Sequence, residues 1–305
     1  MKRPDRERPW PEFAEPELVE RLLMDQDSFF ELWRGMARQM PAREFSPEAF
    51  ELGTSYPWPR PDGSFVLGEG EGRLLADLDP GSRQTVLDRF TGLDSGRTPM
   101  LAIGSNASPE GLWRKFAHFE APEDRTLLAI SGWLKDFDVG ASAELALYGA
   151  MPATIFPSPG TRVAVTAVWL TDVQLTQLAW AEIPYWLGRL EARFDAEAAV
   201  AGLGFEGFDD SLVFVNRFGA FAPEGEPLAL AAVPAENRTA RELDQVALLQ
   251  LLADRVYGGG MTARELVRQL FERLDEVGPE VAQALRPDSI PFESGRWTPY
   301  PGQPA

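Results

Sequence analysis

The sequence has no cysteine, a single histidine, no surplus of positive charge and no long apolar run, and each absence removes a class of function. Without cysteine there is no disulfide, no thiolate zinc site and no cysteine nucleophile. One histidine, His118, rules out a multi-histidine metal centre. It leaves a Ser-His-Asp triad only through that residue, and no Gly-x-Ser-x-Gly elbow accompanies it. A formal net charge of −18 argues against nucleic acid and anionic membrane surfaces as partners, because both need a basic footprint. No stretch approaches the roughly 18 apolar residues of a membrane-spanning helix, and no apolar region follows the basic residues of Met1–Pro9. A cytoplasmic location is the expectation.

What is present is enough for a sizeable core: 305 residues, 44% hydrophobic and 11% aromatic. Residues 16–39 carry Leu18, Leu22, Phe29, Phe30, Trp33 and Met36 at helical spacing, predicting one or two helices with a break at Asp27-Ser28. Phe65-Val66-Leu67 reads as a short strand after the Pro61-Asp62-Gly63-Ser64 turn, and 82–90 as a short helix.

Strand patterns then dominate, at Arg125–Val139, Leu145–Phe156, Arg162–Leu170, 187–194, 211–216 and 227–233. Thr171 with Gln174 has the spacing of a capping box and opens a helix after the third of these. Thr239-Ala240-Arg241-Glu242-Leu243 and Thr262-Ala263-Arg264-Glu265-Leu266 have the same form, and each predicts a helix start near the C-terminus, with Gly258-Gly259-Gly260 as the turn between them. Three regions follow: a helical and extended addition over 1–97, a core over 98–235, and a helical pair with a Pro-rich tail over 236–305. The tail is expected to lie extended over the surface or to cover a cleft.

Two segments carry the chemistry. Met100-Leu101-Ala102-Ile103 runs into Gly104-Ser105-Asn106, a strand ending in a tight turn whose backbone amides can approach a ligand closely. Ser108-Pro109 behind it is a helix start, which also favours an anion. Further on, Ala153-Thr154-Ile155-Phe156-Pro157-Ser158-Pro159-Gly160 leads through a strand and a helix to Glu182, bracketed by Trp180, Ile183, Pro184, Tyr185 and Trp186. Apolar neighbours of this kind can desolvate a carboxyl group and raise its pKa.

In order and spacing these segments resemble the gamma-glutamylcyclotransferase family, which pairs a strand-ending Gly-Ser-Asn loop with one glutamate as general acid/base. The resemblance implies an α+β fold built on a small, largely antiparallel β-barrel of five to seven strands, with flanking helices and terminal helical additions. It implies cyclisation of a gamma-glutamyl amide or peptide to 5-oxoproline with release of an amine. Glu182 would be the catalytic residue, and Ile103, Gly104, Ser105, Asn106 and Tyr185 would bind substrate. No metal and no cofactor is implied, and the expected partner is a small gamma-glutamyl compound.

The match departs from the family pattern in places. Ile103 stands where a tyrosine usually precedes the loop, and Ala179 and Ile183 replace an aspartate and a glycine around the acid. A small-ligand-binding protein that keeps the fold without catalysis therefore stands as the alternative, beside another gamma-glutamylamine chemistry. Arg125, Arg162, Arg189 and Arg217 are further candidates for holding a substrate carboxylate.

Overall fold

The computed structural model describes residues 9–92 and 94–303. The N-terminal segment begins with α1 (Pro16–Leu23), which opens on proline and buries Leu18 and Leu22 one turn apart. In α2 (Gln26–Ala37) the Asp25 side chain accepts from the Ser28 amide at 2.8 Å. That cap moves the break between the two helices to Met24-Asp25, just ahead of the expected Asp27-Ser28. A third helix, α3 (Pro47–Thr54), is capped by Ser46. The chain then runs extended through Tyr56 and Trp58 into the hairpin of β1 (Phe65–Gly68) and β2 (Glu71–Leu74), and on to α4 (Pro80–Thr91).

The central elements are β3 (Thr98–Ala102), α5 (Pro109–Phe116), α6 (Pro122–Arg125), β4 (Leu127–Ala141), β5 (Ala153–Leu170), α7 (Asp172–Ala181), β6 (Tyr185–Leu190), β7 (Phe194–Ala196), α8 (Ala198–Ala201), β8 (Gly207–Phe208) and β9 (Ser211–Asn216). Through the middle of the sheet the strand order is β4-β5-β3-β9-β6. β5 is antiparallel to both β4 and β3, β9 is parallel to β3, and β6 is antiparallel to β9. These directions decide where the site lies. The end of β3, the end of β4, the start of β5, the start of β6 and the end of β9 all fall at one edge of the sheet.

The fold is α+β with a large, mostly antiparallel sheet, but the sheet is open, and the expected barrel of five to seven strands is corrected accordingly. Thirteen strands among the described residues join in an order that begins at Glu242–Leu243 and ends at Trp297–Pro299. The edges that closure would need are taken by flanking segments: Trp297–Pro299 pairs with β6, while β1, β7 and Ala229–Leu230 pair along β4.

Other differences have local causes. The Ser158-Pro159-Gly160 turn does not reverse the chain, so one strand replaces the expected pair. Opposite Phe137 stands Pro157 and opposite Lys135 stands Arg162, and the residues between bulge out around Asp136, which accepts from the Gly160 amide at 3.1 Å. Residues 145–152, expected within a strand, instead form a compact loop. Ala146 N donates to Ala150 O and Gly149, at φ +81°, donates back to Ala146 O. Gln245 grips Met151 through its amide nitrogen and its carbonyl together.

The expected strand over 187–194 is split into β6 and β7, and that over 227–233 is reduced to Ala229–Leu230. Thr239 starts no helix. Arg238 beside it is pinned to the buried Asp138 carboxylate at 2.8 and 2.9 Å, and Glu242–Leu243 is drawn into parallel pairing with Ala229–Leu230. The helix α9 (Gln245–Tyr257) begins later, under Asp244. Thr262 and Glu265 do form the expected capping box, opening α10 (Ala263–Glu272), and α11 (Leu274–Leu285) follows. The tail is tied down by short strands at Ser289–Ile290 and Trp297–Pro299.

Arg217, directly after β9, binds the N-terminal segment to this framework. Its guanidinium donates to Ile183 O at 3.0 Å, to Arg21 O at 2.7 Å and to the carbonyls of Leu22 and Met24. Burial pulls its pKa down to about 10, and the carbonyls supply the polar environment that water would otherwise give. Arg217→Met strands these carbonyls and is expected to cost on the order of 3 kcal/mol in denaturant unfolding. Limited proteolysis should then cut between α1 and α2, whereas unchanged protease resistance there would contradict the clamp.

Candidate functional site

The edge where the strand ends gather is hollow. A cavity of about 230 Å³ is lined by the loop after β3, by Lys115 and Arg114 of α5, by Glu144, Ala146 and Tyr148 from the 142–152 loop, and by Glu182 and Tyr185. Tyr56 and Trp58 of the N-terminal segment complete the wall. The expected residues Ile103, Gly104, Ser105, Asn106, Glu182 and Tyr185 all border this one space. None of the tail residues beyond 285 lines it among those described, so the tail does not cover it.

Glu182 caps the C-terminus of α7, and its own amide donates to Leu178 O at 2.8 Å. Its Oε1 accepts from Asn106 Nδ2 at 2.9 Å and from Lys115 Nζ at 2.8 Å, and Lys115 Nζ also donates to Asn106 Oδ1 at 2.5 Å. The three side chains form a closed ring, with Lys115 and Glu182 only 19% and 13% exposed. Among the described residues Oε2 has no protein partner.

The loop itself is a 3₁₀ turn over Ser105–Ala107. Ala107 N donates to Gly104 O and Ser108 N to Ser105 O, so the amides of Ser105 and Asn106 head the turn, that of Ser105 directed at the Tyr56 hydroxyl. Behind it, Ser108 caps α5 as the sequence predicts, accepting from Gly111 N at 3.0 Å. A side chain on Gly104 would place its Cβ 2.2 Å from the Tyr56 hydroxyl, so that hydroxyl lies directly against the loop.

Three of the five tyrosines in the chain line the cavity. Tyr56 and Tyr185 clasp the first residue of β5: the Tyr56 hydroxyl accepts from Ala153 N at 2.9 Å, and the Tyr185 hydroxyl donates to Ala153 O at 3.0 Å. Burial raises the pKa of Tyr56, Tyr148 and Tyr185, so all three stay neutral hydroxyls. Glu144 accepts from Asn216 Nδ2 at 2.7 Å. Desolvation pushes its pKa up to about 7, against the opposing pull of that hydrogen bond, and the neighbouring Glu182 charge adds to the rise.

Several sequence candidates lie elsewhere. Arg162 pairs with Glu236, Arg217 is the clamp described above, and Arg125 and Arg189 do not line the cavity either. Trp180 points away, its indole donating to Glu15 on the outer surface. His118 is exposed just past the end of α5, its ring against Phe119. Lys115, Tyr56, Tyr148 and Glu144 were not anticipated. For Lys115 a signal was available: placed three residues beyond the buried Leu112, it falls toward the same side of a short helix. Nothing local marks Glu144, because its loop was expected to be a strand.

No protein-family model and no curated protein matches the chain. Among solved structures it is similar to one described as a gamma-glutamyl cyclotransferase, at 13% identity and a TM-score of 0.30, with 65% of this chain and 91% of that one covered. It is also similar to the crystal structure of an uncharacterized protein from Homo sapiens, at 15% identity and a TM-score of 0.28, with the same coverage of 65% and 91%. TM-scores of this size identify no shared family.

Proposed function

We propose that the cavity binds a small gamma-glutamyl amide or peptide and cyclises it to 5-oxoproline, releasing an amine. The observation that carries this reading is the direct hydrogen bond between the Gly-Ser-Asn loop and the acid, Asn106 Nδ2 to Glu182 Oε1, inside one small cavity. A volume of about 230 Å³ suits an amino-acid-sized group, below the usual range for drug-sized ligands.

In this chemistry the substrate supplies its own nucleophile. Glu182 Oε2 takes a proton from the α-ammonium, and the amine nitrogen then forms a bond to the γ-carbonyl carbon while the carbonyl pair moves to oxygen. The Asn106 amide, which the turn leaves without a carbonyl partner among the described residues, is the backbone donor assigned to that oxyanion. Collapse of the tetrahedral intermediate restores the carbonyl and breaks the bond to the leaving nitrogen, which takes the proton back from Glu182; the carboxylate so freed removes the second proton of the ring nitrogen, leaving a neutral lactam, and passes it to the departing amine. Lys115 and Asn106 fix the carboxylate through Oε1, so the other oxygen has one orientation toward the substrate.

One observation favours a second reading, a protein that binds a small acidic ligand without turning it over. The same Oε1 is already occupied by Lys115 and Asn106, a closed set of contacts that holds the side chain without any substrate.

A panel of gamma-glutamyl amino acids, peptides and amines, assayed for 5-oxoproline, separates the two. Turnover should fall by about 10²–10⁴-fold in Glu182→Gln with the protein folded. A folded wild type that releases no 5-oxoproline from any member would leave the binding reading. Gly104→Ala drives a methyl group into the Tyr56 hydroxyl and should lower kcat/KM by about ten-fold or more. Adding Tyr56→Phe removes the colliding oxygen, so the double variant is expected to recover part of that loss. Strictly additive effects would show that the two residues do not meet.

A further inference from the structure

Glu144 is the one carboxyl group on the cavity wall that has no cation of its own. It has no ion pair among the described residues, whereas Glu182 across the cavity is matched by Lys115, and Arg114 is engaged by Glu110 on the outer face. Behind Glu144 is a space of about 10 Å³, enough at most for one water, walled by Trp33 of α2, by Ala143, Leu145 and Phe218, and by Gly278 and Ala282 of α11. None of these can supply a counter-charge. The carboxyl group is nevertheless aimed and held, with Asn216 Nδ2 on Oε2 and Asn216 Oδ1 in turn accepting from the Phe218 amide at 2.9 Å. A half-buried carboxyl group that is desolvated in this way gains from a cation beside it, and the side open to such a cation is the cavity.

We propose that Glu144 is the receptor for the α-ammonium group of the substrate, holding it in the cavity where Glu182 Oε2 takes its proton. The cavity then selects compounds with a free α-amine over their N-acylated counterparts. This rests on the cyclisation reading and deepens it: gripping the ammonium at Glu144 and the γ-carbonyl oxygen at the loop brings the two reacting atoms together. The groups facing Glu144 are Asn216, Glu182, Tyr148 and Tyr185, and its α2 and α11 neighbours carry nothing that titrates. A group pushed up to about 7 ionises across neutral pH, and its ionised form is the one that attracts an ammonium.

Calorimetric titration of the wild type and Glu144→Gln with L-glutamate, which carries the ammonium, and with 5-oxoproline, which lacks it, tests the assignment. L-Glutamate affinity should drop by at least about ten-fold in the variant, while 5-oxoproline affinity stays within about two-fold. In the wild type, L-glutamate affinity should rise from about pH 6 to about pH 8, and that rise should vanish in Glu144→Gln. Equal weakening of both ligands, or a pH dependence that survives the substitution, would overturn the proposal. Glu144-dependent glutamate binding without 5-oxoproline release would uphold it and sink the cyclisation reading. Turnover with Glu144-independent binding would do the reverse, and binding of neither ligand by the wild type would remove both.

Discussion

The structure depends above all on the pairing of β4 with β5, which runs from Leu128 opposite Trp169 to Ala141 opposite Ala153. Most side chains on both strands are buried, so a slip of one residue would reverse the faces of the longest stretch of core. The register also fixes function-bearing geometry. It delivers Ala153 to the edge of the sheet, where two tyrosine hydroxyls hold its amide and carbonyl, and it sets the span that the Glu144 loop must cross. At the bulge around Asp136 the register shifts once, from Lys135 opposite Arg162 to Phe137 opposite Pro157, and then holds to the end of the pair.

From this pairing the location of the cavity follows by direction alone. β3 lies antiparallel to β5, β9 parallel to β3, and β6 antiparallel to β9, so the loop after β3 and the acid before β6 must meet. Seventy-six residues separate Asn106 from Glu182 in sequence, and a single hydrogen bond spans them in space. The cavity is a product of topology first and of side-chain choice second.

That order explains what could be read in advance. Local features were legible: the caps at Ser108, Thr171 and Thr262, the strand into Gly104, and the acid after α7, because each depends on neighbours within a turn or two. Features set by distant partners were not. Thr239 has the same local pattern as Thr262, yet the buried Asp138 claims Arg238 beside it and no helix starts there. Residues 145–152 have strand-like composition, yet Gln245 on α9 gathers them into a loop, and that loop carries Glu144 and Tyr148. Tyr56 brings a hydroxyl to the Gly-Ser-Asn loop from a segment with no visible tie to it, although the residue preceding the loop is isoleucine.

The Arg217 clamp has a consequence for the order in which the chain can become native. The carbonyl of Arg21 waits for a guanidinium 196 residues further along. During synthesis α1 and α2 therefore emerge long before the group that anchors them exists, and their apolar stripes stay without a partner until β9 has been made. Contacts of such long range carry a large loop-closure cost and form late. The wall that Tyr56 contributes waits in its turn for Ala153, 97 residues further along, and the lining runs on to Phe214, so a nascent chain has no complete site until β9 has been made.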